Sequence, residues 1–257
     1  MDREIYRRMA AVEDQHWWFA SRRTIVSNLM ARLKLPADAA IMEAGCGTGG
    51  NLPMLAHWGR VYATEPDDEA REFALAKAKC DIQPGYLPDK LPFGNLSFDL
   101  ILMTDVLEHL DDDAAALRSL RGRLKPGGVL ILTVPAFQGL WSAHDTSHHH
   151  KRRYRATRLR ELLVQAGYEI DLISYYNFML FPIIASVRLA QRIAGSNSEG
   201  HDLRMPPPWI NKLLYALFSS ERYFVGRIPL PVGVSLIVAA RNPAGATLVT
   251  RDRSGAI

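Results

Sequence analysis

The stretch EAGCGTGG, Glu43 to Gly50, closes a short apolar run, AAIM, and opens a helical segment. Glycines there let the backbone turn sharply and approach a ligand closely. The helix start behind them offers N–H groups that the helix itself cannot use. Gly45, Gly47 and Gly50 fit G-x-G-x-x-G, a dinucleotide spacing. Gly45, Gly47 and Gly49 fit G-x-G-x-G equally well. The acids around the turn weigh between these readings. Glu43, two residues before the first glycine, is awkward beside a pyrophosphate and suited to a ligand's amino group. Glu65, which ends the next apolar run (GRVYATEP), can accept the two hydroxyls of a ribose.

Outward from this turn the chain alternates strands and helices. AAIMEAG, GRVYATEP, CDIQPG, SFDLILMTDV, VLILTVPA, YEIDLISYY and VGVSLIVAAR read as strands. DEAREFALAKAK (68–79), DDDAAALRSLRGRLKPGG (111–128) and ATRLRELLVQAG (156–167) read as helices, the second stopped by Pro-Gly-Gly. Apolar strands alternating with helices predict a parallel sheet covered on both faces, joined by right-handed crossovers. The expected organisation is a single domain over 1–257. It has a helical cap (1–36), a Rossmann-like core (37–176 and 232–242) and a helical insertion (177–231) with a polar loop, AGSNSEGHDLRMPPP, over 194–208.

Composition sets the outer bounds. The chain has 257 residues, 48% of them hydrophobic and 23% charged, enough to bury a sizeable core. The net charge of +4 is too weak a bias to call for nucleic acid. Cys46 and Cys80 form neither a disulfide framework nor a C-x-x-C pair, which points to a reducing cytoplasm. The N-terminus MDREIYRRMAAVEDQ is charged throughout, unlike a secretory leader. The longest apolar run, FMLFPIIASV, is too short to span a bilayer and is broken by Pro182.

IMEAGCGTGGNL, YATEPDDE, LPFGNLSFDLILMTDVLEHL and LRGRLKPGGVLILTVPA together resemble the class I S-adenosylmethionine-dependent methyltransferases, over most of the chain. The resemblance implies a seven-stranded sheet of order 3-2-1-4-5-7-6 with strand 7 antiparallel. It also implies an S-adenosylmethionine site made by Glu43, Gly45, Cys46, Gly47, Thr48, Gly49, Glu65, Pro66, Tyr86, Leu87 and Thr104. Relatives often carry an acid before LPF to meet the adenine; here GYLPDKLPF places Tyr86 and Leu87 near that point, with Asp89 close by. EIYRRMAAVEDQHWWFASRR, LWSAHDTSHHHKRRYRATRLRELLVQAGYEI and PLPVGVSLIVAAR resemble a bacterial subgroup associated with glycan and lipid-linked biosynthesis.

SAHDTSHHHKRRY, 142–154, follows the fifth strand and so belongs over the sheet edge where ligands bind in such folds. A metal reading of His144, Asp145, His148 and His150 lacks regular zinc spacing and companion cysteines, and no metal is expected. A nucleic-acid reading of Lys151–Arg153 lacks supporting charge. The alternatives are a solvated loop, to which His148 and His149 are assigned, and a substrate-facing wall. On the second reading His144 or His150 is the general base, Asp145 orients it, and Arg153 holds an anionic acceptor. Trp141 and Tyr154 join Trp17 and Trp18 as substrate contacts, although the HWWF tryptophans equally suit plain packing. Acids 111–113 read as solvent-facing residues at a helix start. The expected function is methyl transfer from S-adenosylmethionine to a small-molecule or lipid- or glycan-linked acceptor, favouring oxygen. The alternatives are N- or C-methylation, a non-catalytic cofactor-binding scaffold, and a nicotinamide oxidoreductase. The expected location is the cytoplasm, with peripheral contact at the inner membrane face through the apolar and basic residues of 177–231.

Overall fold

The computed structural model describes residues 3–193 and 203–244. It begins with two helices, α1 (Arg3–Val12) and α2 (Trp17–Met30). The sheet follows: β1 (Ala40–Ala44), α3 (Leu52–Leu55), β2 (Arg60–Thr64), α4 (Asp68–Lys77), β3 (Asp81–Gln83), β4 (Phe98–Thr104), α5 (Asp113–Gly122), β5 (Leu124–Pro135), α6 (Ala143–Ser147), α7 (Ala156–Gln165) and β6 (Glu169–Tyr176). α8 (Phe181–Ile193) and α9 (Pro208–Ser219) precede the last strand, β7 (Ser235–Arg241). The seven strands are ordered β3-β2-β1-β4-β5-β7-β6. β1 to β5 pair in parallel, and β7 runs antiparallel between β5 and β6. This is the expected Rossmann-like order.

Strand side chains alternate between faces, and each face meets its own helices. Met42, Ala44, Ile101 and Met103 pack with Leu117 and Leu120 of α5 and Leu159 and Leu163 of α7. Ile41, Leu100 and Leu102 pack with Ile25 and Met30 of α2, Leu55 of α3 and Phe218 of α9. The helix expected over 111–128 ends earlier, at Gly122, because Leu124 already pairs with Phe98 and the Pro-Gly-Gly run is drawn into β5. Of the polar loop expected over 194–208, residues 194–202 lie outside the described residues.

The insertion docks through α9 onto α2. The Trp17 N–H donates to Asn211 Oδ1 at 2.9 Å, and Asn211 Nδ2 donates to the Gln15 carbonyl at 2.9 Å. Phe218 is buried among Trp17, Trp18 and Tyr176, with ring centroids 6.0, 5.4 and 5.7 Å away. Trp17 and Trp18, assigned as substrate contacts, are half-buried and pack α2 against α9. Among the described residues no helix is long and apolar enough to cross a membrane.

Truncating a buried aromatic typically costs about 3–5 kcal/mol. Phe218→Ala is expected to lose about that much in equilibrium urea unfolding, with the transition still single. A loss under about 1 kcal/mol would mean that α9 is not part of the cooperative core.

Candidate active site

Parallel strands deliver their carboxyl ends to one edge, and β1 and β2 end there side by side, Ala44 opposite Thr64. The chain then turns through Gly45–Gly50. The Gly45 and Cys46 N–H groups both donate to the Thr64 carbonyl at 2.9 Å. Gly45 has φ +77°, and a Cβ there would lie 2.7 Å from Val106 Cγ2, so this glycine lets the turn press against the segment after β4. Gly49 instead makes room for helix packing, since its Cβ would meet Ala74 of α4 at 2.7 Å. The Gly47 N–H donates to Glu65 Oε2 at 2.8 Å, and the Asp67 N–H donates to Glu65 Oε1 at 3.0 Å. Burial pushes the Glu65 carboxyl up and these two N–H groups oppose it. A carboxylate has about four acceptor sites, so capacity remains for further donors.

Glu43 is wholly buried at the end of β1. Asn51 Nδ2 donates to Glu43 Oε1 at 2.7 Å and to Thr104 Oγ1 at 3.1 Å. Glu43 Oε2 has no partner among the described residues. Desolvation, opposed by the Asn51 bond, pushes the Glu43 pKa up to about 8. Cys46 is buried beside it, and burial raises its thiol out of the nucleophilic range. Of the residues assigned to a cofactor, the structure gathers Glu43, Gly45, Cys46, Gly47, Thr48, Gly49, Glu65 and Thr104. Pro66 and Tyr86 form an exposed rim, joined by a bond of 3.4 Å from the Tyr86 hydroxyl to the Pro66 carbonyl. Leu87 packs against the core.

The helix α1 covers this turn. Thr48 Oγ1 donates to Glu13 Oε1 at 2.5 Å, and Lys77 Nζ of α4 reaches the same oxygen at 2.5 Å. Met9 Cε lies 3.3 Å from where a Gly47 Cβ would be. Burial near Glu65, Asp67 and Cys46 raises the Tyr6 hydroxyl. Sequence reasoning treated 1–36 as a cap and missed Tyr6, Met9 and Glu13; their i, i+3, i+7 spacing on one helix face was the available signal.

Further along the same edge, Asp145 holds the 142–154 segment together. It is wholly buried and accepts from the Ser142 N–H at 2.9 Å, Arg153 Nε at 2.8 Å, Arg153 Nη2 at 2.9 Å and His150 Nδ1 at 2.9 Å. These partners hold its carboxyl far below the usual range against the cost of burial. Arg153 Nη1 donates to the Ala136 carbonyl at 3.1 Å. The Arg153 guanidinium is thus committed within the protein, a correction to its assignment as an acceptor clamp. Tyr154 is a core residue whose hydroxyl donates to Asp113 Oδ2 at 3.1 Å, so it too is not a substrate contact. Asp113 is itself buried and paired with Arg152 at 3.1 Å, not solvent-facing, while Asp112 caps α5 through the Ala115 N–H at 2.7 Å. His148, assigned to a solvated loop, is only 9% exposed and its ring stacks 3.9 Å from that of His144. His149 is exposed, and Trp141 is half-buried after the short turn Gln138–Leu140.

Two residues that sequence reasoning passed over complete the edge. Glu108 and His109 lie on the single 3-10 turn Leu107–His109 that follows β4. Glu108 is 0% exposed, neither carboxylate oxygen has a hydrogen-bond partner among the described residues, and His150 Nε2 is 3.9 Å from Oε1. Burial, then Asp105, pushes its carboxyl well up. The His109 ring lies 4.7 Å from that of His150, and its pKa is lowered to about 3, chiefly by burial. Asp105, at φ +55°, is paired with Arg22 from α2 and accepts from Thr133 Oγ1 at 2.9 Å. The buried amide of Asn177, just past β6, has no partner on either atom among the described residues.

Comparison with known proteins gives the same picture at the level of family. Residues 14–173 match the family described as methyltransferase domain. A Mycolicibacterium smegmatis relative described as an S-adenosylmethionine-dependent methyltransferase is 29% identical over 169 residues, 64% of each chain. The dimethylglycine N-methyltransferase of Parasynechococcus marenigrum is 28% identical over 140 residues, 51% of this chain and 50% of that one. The chain therefore spans less than two thirds of the length of these curated relatives. Among solved structures, a chain from the complex of the Haloferax volcanii Trm112 methyltransferase activator with its partner superposes with a TM-score of 0.63. It is 18% identical, and the match covers 95% of this chain and 96% of that one, a likeness of fold.

Removing one member of a buried ion pair typically costs about 3–5 kcal/mol, because the other charge is left uncompensated. Arg153→Ala is expected to lose about that much in urea unfolding at neutral pH. Asp145 has a depressed folded pKa, so its contribution is present above its unfolded pKa of about 3.9 and fades as pH falls below it. The gap between parent and Arg153→Ala should therefore narrow in acid. A surface arginine kept for substrate would leave stability within about 0.5 kcal/mol at every pH.

Proposed function

The chain belongs to the methyltransferase-domain family, and from that membership we propose that it transfers the methyl group of S-adenosylmethionine to an oxygen of a small-molecule or lipid- or glycan-linked acceptor. The observation that carries the reading is the glycine turn flanked by Glu43 and Glu65 at the ends of adjacent strands. The residues fit this donor. The unpartnered Glu43 Oε2 suits an ammonium group, and the spare acceptor capacity of Glu65 suits two ribose hydroxyls. S-adenosylmethionine supplies an electrophilic methyl group on a positively charged sulfur.

The protein's part is alignment and, for an oxygen acceptor, removal of a proton. Met9 of α1 and Glu13, which follows it, lie over the glycine turn, where they would limit access of water. With the donor held at Glu43 and Glu65, the methyl carbon would bond to the acceptor oxygen as its bond to sulfur broke, the electron pair staying on sulfur. The hydroxyl proton goes to an imidazole of the edge. His150 is held by Asp145 in the tautomer with hydrogen on Nδ1, leaving Nε2 as acceptor, and His144 stands beside it with ring centroids 5.6 Å apart. The likeness to a dimethylglycine N-methyltransferase supports a nitrogen acceptor as the second reading.

A greasy acceptor is supported by exposed apolar residues on α8 and α9. Ile183, Val187, Trp209 and Leu213 are exposed, and Phe181 approaches the Phe137–Tyr175 stack that lies just before the 142–154 segment. The same residues support peripheral contact with an anionic membrane. Flotation with anionic vesicles at low salt should carry the protein upward, and Trp209→Ala with Leu213→Ala should leave it at the bottom. Parent protein that stays at the bottom removes the membrane part of the reading.

Three outcomes test the donor site. Glu65→Ala should weaken S-adenosylmethionine binding by about 1.5–3 kcal/mol, and Gly47→Val should abolish it. Parent-like binding by both would put the site elsewhere. Below pH 8 the free Glu43 is largely protonated, and an ammonium partner favours the carboxylate. Binding should therefore release a proton, and affinity should climb as pH rises toward about 8 and fall again where the ligand's ammonium loses its own proton. Calorimetry in buffers of different ionisation enthalpy measures that proton, and Glu43→Gln should abolish it. With an acceptor in hand, alanine at the proton-accepting imidazole should cost about 10²–10⁴-fold in turnover.

A further inference from the structure

We infer that Glu108, His109 and His150 form a binding site for one divalent transition-metal ion at the acceptor side of the sheet edge. The three side chains each offer one ligand atom, and these atoms lie within 4.8 Å of one another. Ligands about 2.1 Å from a common ion stand roughly 3–4.2 Å apart. Less than about an ångström of movement per side chain closes the cluster on an ion. A wholly buried carboxylate without any hydrogen-bond partner calls for an explanation, and Glu108 is one on both oxygens. Its acidic neighbours are already neutralised, Asp105 by Arg22 and Asp145 by Arg153. Glu108 has no such cation among the described residues, and a metal ion would supply one.

The outer contacts are those of a built ligand set. His150 Nδ1 donates to Asp145 Oδ1, which turns Nε2 toward Glu108. A carboxylate behind a histidine fixes its tautomer and ring plane in metal sites generally. Asp145 is in turn fixed by Arg153 and by the Ser142 N–H. Two imidazoles with one carboxylate favour manganese, cobalt or zinc over magnesium or calcium. Three protein ligands leave coordination positions open.

The purpose of the ion rests on the methyl-transfer reading; its binding does not. An acceptor hydroxyl on an open position would lose its proton more readily, as metal-bound water does. Acceptors with two neighbouring oxygens, such as a diol or a hydroxy acid, would fill two positions and be held rigidly. His150 is then a ligand through Nε2, and the proton passes to His144 or to solvent.

The test is titration of the EDTA-stripped full chain with Co²⁺, followed by visible absorption and calorimetry. Uptake of a single equivalent with a ligand-field spectrum is expected. Glu108→Gln, His109→Asn and His150→Asn should each lower the affinity at least about tenfold, and His149→Asn should not. Thermal unfolding and S-adenosylhomocysteine binding of each variant report whether it is folded. Should the variants fail to fold, pulsed EPR of Mn²⁺ bound to the parent protein should show coupling to two imidazole nitrogens. No uptake by the parent, uptake that survives the three substitutions, or Mn²⁺ without imidazole nitrogens overturns the site. S-adenosylhomocysteine binding by the metal-free parent separates the two readings. Its absence together with Co²⁺ uptake overturns methyl transfer alone, and its presence without uptake overturns the metal alone.

Discussion

One buried carboxylate ties the ligand-bearing edge together. Glu43 sits at zero exposure on β1, beside the central strand β4, and accepts a hydrogen bond from Asn51, which begins α3 and also reaches Thr104 on β4. A single side-chain amide thus joins the ends of β1 and β4 across the glycine turn. The second Glu43 oxygen is left over. A protein with no use for it would replace this acid by an amide or an apolar residue, since an unmet buried acceptor typically costs about 1–3 kcal/mol.

The fold was legible because its signals are local. Apolar runs such as Leu100–Met103 and the glycine spacing at 45–50 report on their own neighbourhoods, and the parallel order follows once strands alternate with helices. The glycine turn and its two acids were legible for the same reason, since Glu43 and Glu65 end strands that can be read directly. The contacts of the 105–154 stretch were not. Arg153 reads as a free cation in KRRY, yet Asp145, eight positions away, takes two of its nitrogens. Tyr154 and Asp113 bond each other across 41 positions, and Glu108 meets His150 across 42. No periodicity connects such pairs. Trp17 and Trp18 show the same limit, because their partner Phe218 belongs to the far end of the insertion.

Charges at the edge sort into two groups. Asp105–Arg22 and Asp145–Arg153 are closed pairs within the protein. They bring cations from α2 and from the segment after α6 to carboxylates that follow β4 and β5. Glu43 and Glu108 are open, each buried with at least one oxygen unmet. The closed pairs fix the geometry in which the open groups present themselves. Together with Glu65, the open groups are the ones with hydrogen-bonding capacity left.

The placement of β7 has a consequence for how such a chain can diversify. Tyr176, the last residue of β6, lies opposite Ser235, the first of β7. The chain therefore leaves the sheet and re-enters it at neighbouring points of the same edge. Where it is described, the segment between them is tied back into the core through Phe218 of α9. A longer or shorter segment here leaves the strand register in place so long as α9 keeps its seat on α2.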